Sequence, residues 1–310
     1  MKNFADRLIS EIDKKGSSIC VGLDPRLSQI PGFIVEKYLE EHGATFAAAG
    51  GAILEFNKGI IEAVKDLVPC VKPQIAFYEQ YGIEGLKAFQ ETCSYAKKAG
   101  LIVIVDAKRN DIGSTAEAYA NAFLGKVDVF GKEQSVFNAD ALTVNGYLGF
   151  DGIKPFAEAC KKYEKGIFVL IKTSNPSSGD LQDRTVDGNY TLYEMFGHLL
   201  ESWGADEIGE KGYSSIGAVV GATYSEQAKK LRKIMPNTIF LVPGYGAQGG
   251  DASDIKPCYN EDGYGAIVNS SRGIIFAYEG SKKFKPEDYK EAAREATLDM
   301  KKDLKSVEVK

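Results

Sequence analysis

The sequence predicts an α/β protein with the fold of a (β/α)8 barrel. Eight short apolar runs alternate with segments that have the 3.6-residue periodicity of amphipathic helices. The runs are continuous rather than alternating, which is typical of a parallel sheet whose outer face is covered. Eight strand–helix units in 310 residues favour a closed barrel. The competing fold, an open doubly wound sheet, predicts a G-x-G-x-x-G motif after the first strand, and residues 21–29 contain none.

The predicted strands are spaced so that a helix fits after each of them. In chain order they are SSICVGLD (17–24), VPCVKPQ (68–74), LIVIVDAK (101–108), DALTVN (140–145), GIFVLIKT (166–173), SSIGAVVGA (214–222), NTIFLVPG (237–244) and GAIVNSS (265–271). Helical periodicity is clearest in AILEFNKGIIEAVKDL, GLKAFQETCSYAKKAG, SEQAKKLRKIMP and PEDYKEAAREATLDMKKDL. We therefore predict a single barrel domain over residues 1–310.

Three segments fall outside this alternation. The charged N-terminus predicts a short amphipathic helix, and its apolar stripe consists of Phe4, Leu8, Ile9 and Ile12. Residues 24–51 precede the first helix of the barrel, and their pattern fits either a helix or an extended arm. Residues 174–194, after strand five, are long and rich in turn residues. On a barrel, such an insertion is predicted to cover the top face as a lid.

Composition and charge exclude several classes of protein. A net charge of −5 and an isoelectric point near 5.4 give no basic surface for nucleic acid. No run approaches the roughly 18 consecutive apolar residues of a membrane span, and the N-terminus lacks the apolar segment of a secretory signal. The five cysteines are widely spaced and show no disulfide or zinc pattern. We therefore predict a cytoplasmic protein without disulfide bonds.

The third predicted strand runs directly into charged residues. Because side chains alternate along a strand, Asp106 and Lys108 are predicted to share a face, about 6.6 Å apart, while Ala107 points away. Burying such charges costs several kcal/mol per ion unless they pair or take part in chemistry. One interpretation is a structural ion pair at the end of a strand. The other is a catalytic site, which the ends of the neighbouring strands favour.

Active sites of barrels lie at the carboxyl ends of the strands. In this chain those ends carry Asp24, Lys72, Asp106, Lys108, Lys172, Thr173 and Ser174. Lysines that alternate with carboxylates do not form the carboxylate cluster that a magnesium site prefers, so no metal is predicted. The pattern predicts instead a preorganised electrostatic site that stabilises a developing charge. A lysine kept protonated between carboxylates can stabilise a carbanion and then give it a proton.

A glycine-rich loop and an arginine follow the last two predicted strands. PGYGAQGGD (243–251) places four glycines where backbone can approach a ligand closely. Loops at this position on barrels commonly hold a phosphate with their backbone N–H groups. Ser271 and Arg272 follow strand eight, where Arg272 would add charge-assisted hydrogen bonds, and Gln248 could close over the phosphate. The alternative is a flexible loop beside a surface arginine.

Several motifs of the chain occur together in one family. They are D-A-K-x-x-D-I-G-S-T at 106–115, VGLDP, VKPQIAFYEQYG, DALTVNGYLG, KTSNPSSGDLQ and PGYGAQGGD. This combination resembles orotidine 5′-phosphate decarboxylase in its longer bacterial form, and the resemblance covers nearly the whole chain. The motif D-x-K-x-x-D alone is shared with related barrel enzymes. Asn110 departs from the pattern, since many relatives are expected to have glycine there.

The resemblance implies a carboxy-lyase of de novo pyrimidine biosynthesis, which converts orotidine 5′-phosphate into UMP and CO2 without a cofactor. The charged tetrad of the family looks like Lys72, Asp106, Lys108 and Asp111, with Lys108 as the proton donor. The implied substrate contacts are Asp24 at the ribose, Ser174 at the pyrimidine amide, and Pro243, Gln248 and Arg272 at the phosphate. In the family, the second aspartate and the following threonine reach into the partner's site. The resemblance therefore implies a homodimer in which Asp111 and Thr115 cross the interface.

Two other functions stay open at this point. A metal-dependent phosphosugar synthase or epimerase of the same barrel superfamily would lose activity when its metal is chelated, whereas the decarboxylase would not. A non-catalytic phosphometabolite-binding protein on a decayed barrel would have lost part of the charged set. All four of those charged positions are present.

Overall fold

Eight parallel strands close into a barrel. The computed structural model of the chain describes residues 3–186, 188–223, 225–246 and 251–307. The barrel strands, β1 to β8 in chain order, are Ile19–Leu23, Cys70–Pro73, Ile102–Arg109, Ala141–Val144, Gly166–Lys172, Ile216–Val220, Phe240–Val242 and Ala266–Ser270. Each strand pairs with the next, and β8 pairs with β1. The prediction of a (β/α)8 barrel is confirmed, and the carboxyl ends of its strands form one rim, the top face.

Helices surround the barrel and close its bottom. In the described part of the chain, α1 to α12 are Phe4–Lys15, Gly32–His42, Phe46–Val64, Ala76–Glu79, Gly82–Lys98, Gly113–Phe123, Phe150–Tyr163, Leu192–Gly204, Ser225–Ile234, Ala252–Ile255, Arg272–Ile275 and Tyr289–Lys305. Residues 24–51, for which the pattern allowed two conformations, form a 3₁₀ turn, the whole of α2 and the start of α3. A hairpin of Val127–Val129 with Lys132–Gln134 lies outside the barrel.

Helix α1 fills the bottom of the barrel. Its predicted apolar stripe is buried against side chains that point into the barrel interior. Phe4 packs edge-to-face against Phe168 of β5, with ring centroids 6.0 Å apart. Gly166 makes room for this ring, because a Cβ at that position would overlap Phe4. The interior is therefore packed with apolar side chains at the bottom.

The insertion after β5 has a defined fold. A 3₁₀ helix, Pro176–Asp180, leads into a hairpin of Thr185–Val186 with Tyr190–Thr191, and α8 follows directly. Thr191 and Glu194 form a capping box that begins α8. The insertion starts at the top end of β5, and its role as a lid stays a prediction.

The five cysteines are free, and all of them are buried. Burial raises the pKa of the Cys93 and Cys160 thiols above the usual value, so these side chains behave as small apolar groups of the core. Within the described ranges, no helix is both long and apolar enough to cross a membrane.

Candidate active site

A buried ion network joins the carboxyl ends of β2 and β3. Asp106 lies between two lysines: its Oδ2 accepts a hydrogen bond from Lys72 Nζ at 2.7 Å, and its Oδ1 accepts one from Lys108 Nζ at 2.6 Å. The fold places them together because β2 and β3 are neighbours, with Cys70 beside Ile102. Both ammonium groups are therefore directed at a single carboxylate.

Burial and charge act together on this network. The side chains of Lys72 and Asp106 are 6% and 11% exposed, whereas that of Lys108 is 46% exposed. Burial by itself raises the pKa of Asp106, but the ammonium groups of Lys72 and Lys108 outweigh it and hold the pKa well below its usual value. Burial likewise lowers the pKa of Lys72, but the negative charges of Asp106 and Asp24 raise it above its usual value. At neutral pH, Asp106 is thus an anion and Lys72 a cation, and Lys108 is the accessible member.

The regular alternation predicted for β3 breaks at Lys108. The register of β3 against β4 shifts between Val105 and Arg109. Lys108 has a φ of 49°, which lies in the left-handed region that few residues other than glycine adopt. The predicted regular alternation therefore does not hold at Lys108, although the strand continues to Arg109. The side chains of Asp106 and Lys108 still meet, through the hydrogen bond of 2.6 Å across an irregular part of the strand.

Thr143 of β4 belongs to this site although it is uncharged and no role was predicted for it; it lies within the motif DALTVNGYLG. Its Oγ1 donates to Asp106 Oδ1 at 2.9 Å and accepts the backbone N–H groups of Ala107 and Lys108, each at 3.0 Å. The available signal was its position, as a lone hydroxyl in the apolar run DALTVN on the strand after the charged one.

Asp111 does not join the network of its own chain. Its Oδ1 accepts the N–H of Ile112 at 2.8 Å, and among the described residues its side chain makes no other hydrogen bond and no ion pair. Thr115, in the first turn of α6, is exposed. Ile112, between them in the chain, is 55% exposed. Three of the four predicted tetrad residues therefore converge, and Asp111 and Thr115 lie at the surface beside them.

Two buried oxygens at the top of β1 and β8 have no hydrogen-bond partner among the described residues. They are Asp24 Oδ1 and Asn269 Oδ1. The two strands are paired, with Cys20 of β1 beside Asn269 of β8. A buried acceptor without a donor costs about 1 to 3 kcal/mol, so both oxygens are suited to accept a hydrogen bond from a ligand. Asp24 was predicted from the sequence, whereas Asn269, a neutral residue within a strand end, was not.

The residues predicted to hold a phosphate lie at the ends of β7 and β8. Arg272 begins α11 and is exposed, and Pro243 directly follows β7. Ser271 packs against Gly22 of β1, where a Cβ would overlap the serine side chain. Gln248 lies outside the described residues. The structure thus places Pro243, Ser271 and Arg272 just after two neighbouring strands, and Ser271 Oγ accepts a hydrogen bond from Asn269 Nδ2 at 3.4 Å.

Lys172, at the end of β5, attaches the insertion to the barrel. Its side chain is 1% exposed. Its Nζ donates to Ser178 Oγ at 3.0 Å and to Asp183 Oδ1 at 2.9 Å, and it lies 5.8 Å from the ring centroid of Tyr193. The ammonium of Lys172 is therefore bonded to residues of the insertion.

Ser174, which is predicted to contact the pyrimidine amide, lies between Lys172 and the end of β6. Gln182 of the insertion accepts the N–H of Thr173 at 2.9 Å and donates to its hydroxyl at 2.8 Å. On the other side, a Cβ at Gly221 would lie 2.9 Å from the backbone N of Ser174. The backbone that presents Ser174 is thus held from two directions.

Replacing Lys172 with methionine is expected to release the insertion, because it removes the ammonium that Ser178 and Asp183 accept. The free energy of unfolding should also fall, since Asp183 loses its partner in the ion pair. Proteolytic cleavage within residues 175–191 should then become about tenfold faster, because cleavage tracks local opening. Limited proteolysis with mass-spectrometric mapping measures this. Lys161→Met, at a lysine whose side chain is 71% exposed, should show no change. Equal cleavage of the Lys172 variant and the natural protein would contradict the anchoring role.

The arrangement offers a bound ligand a fixed positive charge and a proton. A partly exposed ammonium beside a buried anion can stabilise negative charge that develops at the mouth of the barrel, and can then protonate it. In the ranges that the structure describes, no group of three or more histidine, cysteine, aspartate or glutamate side chains is placed to hold a metal ion.

Known proteins share this sequence and this fold. The orotidine 5′-phosphate decarboxylase of Rhodopirellula baltica (strain DSM 10527 / NCIMB 13988 / SH1) is 48% identical over 308 residues, which cover 98% of this chain and 100% of the relative. The solved OMP decarboxylase of Leishmania donovani superposes with a TM-score of 0.74 at 31% identity over 99% of each chain. The UMP synthase of the same organism gives 0.76 at 33% identity, and the match covers 99% of this chain but 57% of that longer one. Residues 17–285 match the model of the orotidine 5′-phosphate decarboxylase / HUMPS family, and the chain belongs to that family.

Proposed function

We propose that this chain decarboxylates orotidine 5′-phosphate to UMP. The observation that carries the proposal is the carboxylate of Asp106 held between Lys72 and Lys108 at the top of the barrel. Asp106 thereby holds both ammonium groups in place, and Lys108, the accessible one, is the cation that a ligand can reach. No specific observation favours the metal-dependent synthase or epimerase.

The order of the strands supports an extended orientation of the substrate across the top face. Its phosphate would bind at the ends of β7 and β8, near Pro243, Ser271 and Arg272, with Gln248 closing over it. The ribose would follow at Asp24 of β1, whose buried oxygen is available as an acceptor. The pyrimidine would then lie over β2 to β5, with its amide at Ser174. Binding energy from the distant phosphate holds the reacting carbon beside Lys108.

The chemical step follows from the charges. The bond between C6 of the pyrimidine and its carboxylate breaks, CO2 leaves, and the electron pair stays on C6. The ammonium of Lys108 stabilises this carbanion and transfers a proton to C6, and the neutral amine regains a proton from solvent. Atoms and electrons balance within the substrate, Lys108 and water, so the step requires no redox or electron-sink cofactor.

A direct assay tests the proposal. The purified protein is mixed with orotidine 5′-phosphate in a buffer that contains EDTA, and the ultraviolet absorbance of the orotate ring is followed. We expect the orotate absorbance to disappear with formation of one UMP and one CO2 per substrate. Stable absorbance at high protein concentration would refute the decarboxylase. Activity that is lost in EDTA and restored by a divalent metal would favour the synthase or epimerase.

We propose further that the chain forms a homodimer in which the partner's Asp111 and the partner's Thr115 complete the site. The support is that Asp111 stays outside the network of its own chain, beside the exposed apolar side chain of Ile112. A shared site of this kind is natural in a two-fold dimer, because each subunit then gives and receives the same residues.

Mixing two inactive variants tests this sharing. Lys108→Ala and Asp111→Ala should each be inactive alone, since every site lacks one group. When the two are dissociated together and reassociated, activity should return to about a quarter of the natural level, because half of the random dimers are mixed and each has one complete site. No recovery, with mixed dimers shown to be present, would place Asp111 in its own chain's site.

We infer a cytoplasmic location and a single catalytic domain over residues 1–310. The five free, buried cysteines support the location, since proteins of oxidising compartments generally pair their cysteines. The barrel and its helices extend from Phe4 to Lys305, which supports one domain.

A further inference from the structure

The hydroxyl of Thr143 has every hydrogen-bonding position filled by residues 106–108 of β3. A hydroxyl has one donor and two acceptor positions. The donor is used on Asp106 Oδ1 at 2.9 Å, and the two acceptor positions receive the N–H groups of Ala107 and Lys108 at 3.0 Å each. Thr143 is 1% exposed, so water does not compete for these bonds. All three bonds go to one segment of three consecutive residues.

That segment needs an external support. Lys108 has a φ of 49°, and the ladder between β3 and β4 is interrupted from Val105 to Arg109. A left-handed lysine is unfavourable by itself and persists only where the surroundings determine it. The strand ladder does not supply that support here, because the N–H groups of Ala107 and Lys108 bond to a side chain instead of a neighbouring strand's carbonyl.

We infer that Thr143 is a positioning residue of the decarboxylation, which fixes the backbone of Lys108 and the carboxylate of Asp106 relative to each other. The inference rests on the proposed function. Thr143 need not touch the substrate, since it acts through the two groups that it holds. Its hydroxyl bonds Asp106 on the same oxygen that Lys108 does, so it sets the direction from which the ammonium of Lys108 approaches. The proton donor is thereby aimed before the substrate binds.

Thr143→Val tests the inference, because it keeps the shape of the side chain and removes only the hydroxyl. We expect kcat to fall about 100-fold, the scale of a misplacement of about 1 Å, while KM changes by less than about threefold. Thr143→Ser restores the hydroxyl and should regain most of kcat. A second variant, Thr143→Ala, removes the hydroxyl without placing a methyl group beside two N–H groups, and should show the same loss if the valine variant does not fold.

The matched control is Thr297→Val. Thr297 is also fully buried and donates its hydroxyl to the carbonyl of Ala293 at 2.7 Å, but it lies within α12. The Thr297→Val variant should have a lower free energy of unfolding and an unchanged kcat. Amide hydrogen exchange provides a readout that does not depend on turnover. In Thr143→Val, the amides of Ala107 and Lys108 should exchange about tenfold faster than in the natural protein, because their acceptor is gone.

The outcomes separate the inference from the proposed function. If the natural protein decarboxylates the substrate and Thr143→Val does so equally fast, the positioning role is refuted and the function stands. An equal loss of kcat in the serine and valine variants would also refute it, since the hydroxyl would then not be the cause. If the natural protein itself leaves orotidine 5′-phosphate unchanged, the proposed function fails and the inference fails with it.

Discussion

Lys108→Ala is expected to lower kcat for decarboxylation by about 10⁴-fold or more, because it removes both the charge that stabilises the carbanion and the proton that quenches it. The affinity for UMP should change little, since the proposed contacts of the phosphate, ribose and base come from other strands. Absorbance of the orotate ring measures turnover, and isothermal titration calorimetry measures UMP binding. A large loss of kcat with an unchanged affinity for UMP is expected of a group that acts in the transition state.

The control for this variant is Lys154→Ala. Lys154 is exposed on α7 and forms a long ion pair with Glu158, at 3.8 Å. Its loss should leave kcat and KM within about twofold of the natural values, as is usual for surface substitutions. Near-normal turnover of Lys108→Ala would contradict both the assignment of the proton donor and the proposed function.

Asp106→Asn should abolish activity and also lower the free energy of unfolding by about 3 to 5 kcal/mol at neutral pH, because it removes the carboxylate that is paired directly with the buried ammonium of Lys72. The pH dependence follows from the lowered pKa of Asp106 in the folded protein. A carboxylate with a lowered folded pKa contributes stability above its unfolded pKa of about 3.9, and this contribution is lost as the pH falls through the folded pKa. The natural protein should therefore exceed the variant in free energy of unfolding by the whole amount above about pH 5. This difference should become smaller as the pH falls below about 4.

Asp140→Asn is the matched control for this second prediction. Asp140 is also a buried carboxylate bonded to cations, with Lys97 at 2.8 Å and Arg7 at 3.3 Å, but it lies at the bottom of the barrel. Burial raises the pKa of Asp140, and Lys97 and Lys165 outweigh this effect and lower it. Its replacement should reduce stability in the same pH range and leave kcat unchanged. Urea unfolding from pH 3 to pH 7 measures both variants, and a pH-independent difference for Asp106→Asn would show that Asp106 is not a buried anion.

The sequence alone was enough to predict the barrel and the main charged residues. Continuous apolar runs between amphipathic helices specify parallel strands, and in a closed parallel barrel the carboxyl ends of all strands meet at one rim. A residue that directly follows a strand in the chain therefore lies at the top face, whichever of the eight strands it follows. Lys72, Asp106 and Lys108 could be grouped on this ground, and the structure joins them by direct hydrogen bonds.

The contacts of other residues stayed open, because a strand end does not determine the direction of a side chain. Lys172 also ends a strand, but its ammonium bonds Ser178 and Asp183 of the insertion. Asp111 is close to Lys108 in the chain and yet stays outside the network of its own chain, and its predicted role in a partner's site stays a prediction. Chain position thus placed these residues at the rim without predicting their contacts within the chain.

What the sequence determined by itself is thus the repeat of strand and helix, the rim at which the chemistry lies, and the residue types that stand there. Only the tertiary structure decided that Lys108 adopts a left-handed backbone, that Thr143 of the next strand holds it, and that Asn269 offers a free oxygen. The physical reason is the range of the interactions. Hydrophobic periodicity is local and can be read along the chain, whereas hydrogen bonds across an interrupted strand ladder depend on a register that only the closed barrel sets.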